Sequence, residues 1–223
     1  MSAGPMDAGD FAAWIRRTAE RVSADAERLT RLDAAIGDGD HGLNLDRGFR
    51  AAVEALPGDV PPGAVLIAAG RAIVSKTGGA SGPLYGTALR RAGKAFGDAA
   101  DVDAAALGSA LRAALQGVQD LGKAVEGDKT MVDALAPAVA AYEAALADGS
   151  GLAGCARAAA EAAAKGADGT VPMRARKGRA SYLGERSEGH LDPGASSTAL
   201  VLRALADVAG SDGVAGSDAA GEG

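Results

Sequence analysis

Eight successive segments of the chain repeat apolar residues at three- to four-residue steps, the period of a helix that buries one face. In the first, Phe11, Trp14, Ile15, Val22, Leu29 and Leu32 follow Asp10, which can cap a helix expected to run to about Ile36. The second is marked by Leu45, Phe49, Val53 and Leu56 and stopped by Pro57, and the third lies within Ala64 to Lys76. Pro83 suits the first position of the fourth, which continues through Leu84, Ala88, Ala92 and Phe96. Asp101 or Asp103 caps the fifth, built on Leu107, Leu111, Leu115, Val118 and Leu121. Met131, Leu135, Val139, Tyr142 and Leu146 make the sixth, with Pro137 as a point of kinking, and the Ala-rich stretch from Leu152 to Lys165 makes the seventh. Asp192 and Pro193 form the cap and first turn of the eighth, along Leu200, Leu202 and Leu205. No segment reads convincingly as a strand.

Composition supports the same fold class, all-α. Of 223 residues, 56 are Ala and 33 Gly, against three Phe, three Tyr and one Trp. Ala and Leu are the strongest helix formers, whereas strand cores draw on aromatic residues. A chain of this length buries about 70% of its unfolded surface and needs no staple. One domain is expected over residues 7–209, with a disordered, low-complexity tail, GSDGVAGSDAAGEG, over 210–223. A net charge of -6 argues against a general nucleic-acid binder. The lone Cys155 excludes an internal disulfide framework and a cysteine zinc site. The chain lacks both a secretory start and an apolar run of membrane-spanning length, so it reads as cytoplasmic with no membrane partner.

The densest chemical signal is LDAAIGDGDHGLN, in which Asp33, Asp38 and Asp40 lie within eight residues among Gly37, Gly39 and Gly42. On one continuous helix Asp33 and Asp38 would diverge by roughly 140°. If Gly37 ends the helix and the chain then extends, Asp38 and Asp40 point the same way and can meet Asp33. Such hard oxygen donors suit Mg²⁺. An EF-hand beginning at Asp38 fails, because Gly42, Leu43 and Phe49 stand where its fifth, sixth and twelfth positions need other residues. A solvated acidic turn uses the same residues equally well. His41 fits a base, a ligand, a phosphate donor or a plain turn residue, and Asn44 a helix cap. The loop TGGASG can bind an anion through backbone N–H groups or serve as an ordinary turn.

Two decoys are set aside. GSGLAG, Gly149 to Gly154, has dinucleotide-fingerprint spacing but no strand before it, and neither a Walker loop nor a protein-kinase signature is present. The segment from Ala167 to Leu191 is locally basic, with Arg174, Arg176, Lys177, Arg179 and Arg186 against Asp168, Glu185 and Glu188. Loops of that length inside a compact domain are usually functional or disordered.

Taken together, GDGDHGLN, GGASGPLYGT, GDKTM and ARKGRASYLGERSEGHLDPGA resemble the L-subunit family of dihydroxyacetone kinases, in the family's order, from roughly Asp7 to Val208. The resemblance implies a closed barrel of eight antiparallel up-and-down helices holding ADP or ATP and two Mg²⁺ ions at one end. It makes Asp33, Asp38 and Asp40 the metal ligands and puts His41, Gly42, Leu43 and Asn44 along the phosphates. It places Ala80 and Ser81 on phosphate, Gly122 and Met131 near adenine or ribose, and Arg179 with Asp192, Pro193 and Gly194 closing the site. No residue of this chain serves as nucleophile; His41 and Arg179 position phosphate. The implied partners are a K subunit that holds dihydroxyacetone on a histidine and a phosphohistidine-carrying M subunit that recharges ADP in place. A homodimer is left open. A free-standing L module favours that phosphotransferase-linked branch over an ATP-dependent enzyme that exchanges nucleotide with solution. A reading of another class is a module whose nucleotide state a regulatory partner senses without turnover.

Overall fold

The computed structural model describes residues 4–211, and there the chain is all-α. Its helices are α1 (Ala8–Ile36), α2 (His41–Glu54), α3 (Pro62–Lys76), α4 (Ser81–Phe96), α5 (Ala104–Gly122), α6 (Val132–Ala147), α7 (Leu152–Gly169) and α8 (Pro193–Gly210), with a 3₁₀ segment, Arg179–Ser187, before the last. Among the described residues the only extended pairing is an isolated bridge between Met6 and Val102. None of these helices is long and apolar enough to cross a membrane. Beyond Ser211 the expected tail lies outside the described residues.

Several boundaries differ from expectation for local reasons. Asp7, not Asp10, caps α1: its Oδ1 accepts the Asp10 N–H at 3.0 Å while Asp10 Oδ2 accepts the Asp7 N–H at 3.0 Å, a reciprocal capping box. Ser81 opens α4, so Pro83 is its third residue, still within the first turn, where N–H groups have no intrahelical partner to lose. Asp103 caps α5 by accepting the Ala106 N–H at 2.8 Å. Helix α7 runs on to Gly169, and the stretch expected to be irregular from Ala167 is correspondingly shorter and partly 3₁₀.

Each helix packs on the next, and α8 packs back on α1. Small residues allow backbones to touch. A Cβ on Gly63 would lie 2.5 Å from the Gly93 carbonyl, and one on Gly93 equally close to the Gly63 carbonyl, so α3 and α4 meet backbone to backbone. Pro137, inside α6, has no N–H for the Asp133 carbonyl, and Gly166 of α7 packs directly onto that oxygen, where a Cβ would collide. The few large side chains fill what remains: Phe11, Trp14, Phe49 and Tyr142 are almost wholly buried. Trp14 Nε1 donates to the Val201 carbonyl at 3.0 Å, fastening α1 to α8. Connections between packed neighbours, short except for residues 170–192 between α7 and α8, reverse the chain each time, which brings the ends of α1, α3, α5 and α7 and the starts of α2, α4, α6 and α8 to one end.

Candidate functional site

At that end lies a cavity of about 290 Å³, lined from the α1–α2 junction, the glycine loop before α4, the end of α5, the 129–132 turn, the 177–180 segment and the start of α8. Its size is at the lower end of the range for small-molecule sites.

Gly37 ends α1, its N–H bonded to the Asp33 carbonyl at 2.5 Å. The chain then turns through Gly39, at φ +71, and does not run extended as the spacing argument supposed; Asp40 is already in the right-handed helical region. The turn achieves the same end. Carboxylate oxygens of Asp33, Asp38 and Asp40 lie within 4.8 Å of one another. Asp33 Oδ2 also accepts the backbone N–H groups of Asp40 at 2.9 Å and His41 at 3.2 Å, so one carboxylate starts α2 and faces the cluster. A Cβ at Gly37 would collide with the other Asp33 oxygen. The Arg179 guanidinium lies 3.0 Å from Asp38 Oδ2, bringing the basic segment onto the acidic cluster.

His41 Nε2 pairs with Ser197 Oγ at 2.9 Å, and Ser197 Oγ with the Tyr85 hydroxyl at 2.7 Å, which also meets Thr198 Oγ1 at 2.9 Å. This chain of polar groups crosses α2, α8 and α4 beneath the cavity. Burial pushes the His41 pKa down, with Asp33, Asp40 and a hydrogen bond to the Pro193 backbone pulling it back, and burial raises Tyr85 to about 12. At neutral pH both are therefore uncharged hydrogen-bonding groups. Asp192 caps α8, accepting the Ala195 N–H at 2.7 Å, and burial drives its carboxyl up to about 7.

Neither Asp40 nor Ala80, the residues just before α2 and α4, caps its helix with its own side chain; Asp33 takes the first N–H of α2, and the other first-turn N–H groups have no side-chain cap. These N–H groups face the cavity end with the positive pole of each helix, an arrangement that receives anions. The walls farther in are apolar: Leu84, Val118, Ala124, Met131 and Val132.

Asp33, Asp38, Asp40, His41, Ala80, Ser81, Gly122, Met131, Arg179, Asp192, Pro193 and Gly194 all line this cavity. Gly42, Leu43 and Asn44 do not. Gly42 is pressed against the Ala26 carbonyl of α1, where any Cβ would clash, the Leu43 side chain is 63% exposed, and Asn44 faces the glycine loop, where a Cβ on Gly78 would touch its amide. Tyr85, Lys129 and Thr130 line the cavity without having been singled out, Lys177 having been named only as part of the basic segment, and Ser197 joins its floor. A polar Ser196–Ser197–Thr198 run inside an apolar helix, and the Lys in GDKTM, were the available signals.

Lys129 is 1% exposed and adopts φ +61, a left-handed conformation that costs a non-glycine residue about 1 kcal/mol. Burial pushes its ammonium pKa down, against the pull of Asp192 and Glu188. The loop that carries it is held by the buried Asp133, whose carboxylate accepts the Gly127 N–H at 2.5 Å and the Thr130 N–H at 2.7 Å.

An all-helical chain with this acidic turn and these helix starts around one cavity belongs to the DAK2 domain family, whose pattern matches residues 35–207. It is 43% identical over 195 residues, 86% of this chain and 93% of the other, to the ADP-binding subunit DhaL of the phosphoenolpyruvate-dependent dihydroxyacetone kinase of Escherichia coli K12. It is 40% identical over 193 residues to D-erythrulose kinase of Mycolicibacterium smegmatis, covering 85% of this chain and 33% of that protein. The crystal structure of the dihydroxyacetone kinase from C. freundii in complex with AMP-PNP and Mg²⁺ superposes with a TM-score of 0.67 at 29% identity, covering 92% of this chain and 34% of that one. The chain thus spans about a third of the length of these last two.

Proposed function

We propose that this chain is the nucleotide-binding subunit of a phosphoenolpyruvate-dependent dihydroxyacetone kinase, presenting the terminal phosphoryl group of bound ATP to dihydroxyacetone on a separate K subunit. In this reading the resulting ADP stays in place and is rephosphorylated by a phosphohistidine-carrying M subunit. The observation that carries it is the convergence on one cavity of three clustered carboxylates and the starts of α2 and α4. Carboxylates so close repel unless a cation compensates them, and helix starts attract the phosphates that such a cation accompanies. Identity across 93% of the length of the Escherichia coli subunit supports the assignment to that branch.

The donor set fits magnesium: Asp33, Asp38 and Asp40 offer hard oxygens, and the proposal places two ions there. Bound Mg²⁺ would neutralise charge on the transferring phosphoryl group, the main source of rate in such reactions. The chain's own residues do the positioning. Ala80 and Ser81, and the backbone N–H groups of Gly42 and Leu43, hold phosphate oxygens, with Asn44 acting through the glycine loop it supports. His41 and Arg179 orient and shield the terminal phosphate. Adenine and ribose take the apolar depth near Gly122 and Met131, walled by Pro193 and Gly194. The eight helices form a closed barrel in this reading, supported by the packing of α8 on α1.

Exposed apolar side chains gather at the same end: Leu43 is 63% exposed, Leu121 50%, Val125 59% and Tyr182 88%. They form the surface on which the K subunit is proposed to dock. The test is to load this chain with radiolabelled ADP, add a K subunit, dihydroxyacetone and a phosphoenolpyruvate-driven donor, and follow label and product together. Many turnovers with label retained uphold a resident cofactor. Exchange of label at each turnover, or full-rate turnover on free ATP alone, favours the ATP-dependent reading.

A further inference from the structure

The Lys129 Nζ lies within hydrogen-bonding distance of five backbone carbonyls: Thr170 at 2.9 Å, Val171 at 3.4 Å, Met173 at 3.1 Å, Ser187 at 2.8 Å and His190 at 2.5 Å. An ammonium carries three N–H donors, so these oxygens surround it and share them. All five belong to the stretch between α7 and α8, and they come from both of its ends. Few other contacts hold that stretch to the rest of the protein, the Arg179–Asp38 ion pair among them. Ala175, Ala180 and Leu183 rest on Ile36 in a small apolar cluster, the Arg176 N–H reaches the Asp128 carbonyl at 3.0 Å, and Asp192 N–H reaches Thr170 Oγ1 at 2.9 Å. Its own fold is closed by Ser187 Oγ, which accepts the Ala175 N–H at 2.9 Å, and by the Gly189 N–H on the Val171 carbonyl at 2.8 Å.

We propose that Lys129 is a positioning residue, whose ammonium gathers these five carbonyls and so fixes the segment from Thr170 to His190, with Arg179 and the Asp192 turn, over the cavity. Charge alone would not require this arrangement; no carboxylate is among the five partners, and carbonyl dipoles replace the hydration shell of a small cation. The left-handed backbone at Lys129 agrees, since a conformation that disfavours every side chain is kept here with a side chain that only a buried oxygen cage can use.

The test uses the full chain with Lys129→Gly, which suits the positive φ and leaves the cage open to an added amine. Without nucleotide, trypsin should cut the variant after Arg174, Arg176, Lys177, Arg179 or Arg186 about tenfold faster than the parent, because cleavage follows the open population. Butylammonium, which can place N–H donors among the carbonyls, should return the rate toward that of the parent, whereas tetramethylammonium, equally charged but without N–H, should not. Cutting at the parent's rate, or the same response to both amines, overturns the proposal. If the variant folds only with an additive, recovery in butylammonium alone upholds it, and equal recovery in both amines, or in neither, overturns it. A second arm rests on the nucleotide reading: Mg–ADP affinity by calorimetry should fall about tenfold in the variant and return with butylammonium, as expected when one charged hydrogen-bonding group is lost and replaced. A parent that binds no Mg–ADP would sink that reading and leave the trypsin arm to judge the clamp.

Discussion

Asp33 shows how one side chain can serve fold and site together. One of its oxygens receives two N–H groups at the start of α2, and the Gly37 hydrogen leaves room for the other. Gly37→Ala should therefore displace the carboxylate, weaken the start of α2 by about 1–2 kcal/mol, as losing a cap does, and lower magnesium affinity in the same variant, measured by urea melts and calorimetry. Asp40→Asn conserves shape and removes one charge; it should cut Mg-dependent ADP binding at least about tenfold, the scale of one charged interaction, with helix content by circular dichroism unchanged. Asp192 makes a third case. Its folded pKa, about 7, stands above the ordinary 3.8, so the folded state holds the proton more tightly; the stability this supplies is complete below about 3.8 and is lost as pH rises through 7. Asn at 192 keeps an acceptor for the Ala195 N–H without the charge. Nucleotide-free Asp192→Asn should exceed the parent by about 1–3 kcal/mol at pH 8 and converge with it near pH 4 in urea melts. The acidic cluster was legible because three Asp in eight residues is a local pattern. Lys129 was not, since a lysine in a polar loop defaults to the surface and its partners lie some forty to sixty residues downstream.

At the level of elements, apolar spacing located all eight helices, because each buries a stripe that a 3.6-residue period reveals. Their ends were less legible. Asp7 and Asp10 are both good caps, and only the reciprocal bond between them decides which stands outside the helix. The stretch after α7 hid its 3₁₀ turns because its apolar anchors, Ala175, Ala180 and Leu183, are small and irregularly spaced. Contacts between elements were beyond reach of the pattern altogether. Gly166 is the clearest: it reads as an interruption in an Ala-rich helix, yet it meets the carbonyl that Pro137 leaves free across in α6. Gly166→Ala should raise helix propensity locally and still destabilise the protein, by about 1–3 kcal/mol, because α6 and α7 must part. Since Asp133 also holds the Lys129 loop, the loss of melting temperature should come with weaker Mg–ADP binding.

For the molecule as a whole, binding at one end should stabilise everything, because the helix starts that line the cavity belong to every other helix along the chain. A ligand at a hundred times its dissociation constant adds about 2.7 kcal/mol, and for a chain of this size each kcal/mol moves the midpoint by about 2–4 °C. Mg–ADP should thus raise the melting temperature by several degrees, and a chelator should abolish the rise; an equal effect of ADP without metal would remove the carboxylates from the binding account. How that melt is watched depends on the seam between α1 and α8. Trp14, the chain's one indole, donates there to Val201, four residues and so roughly 6 Å along α8 from Ser197 on the cavity floor. Its fluorescence is an optical label that the protein carries on the seam itself. It should change colour when the seam opens, which makes its emission a gauge of global unfolding, read in melts with ligand against the baseline of the nucleotide-saturated protein.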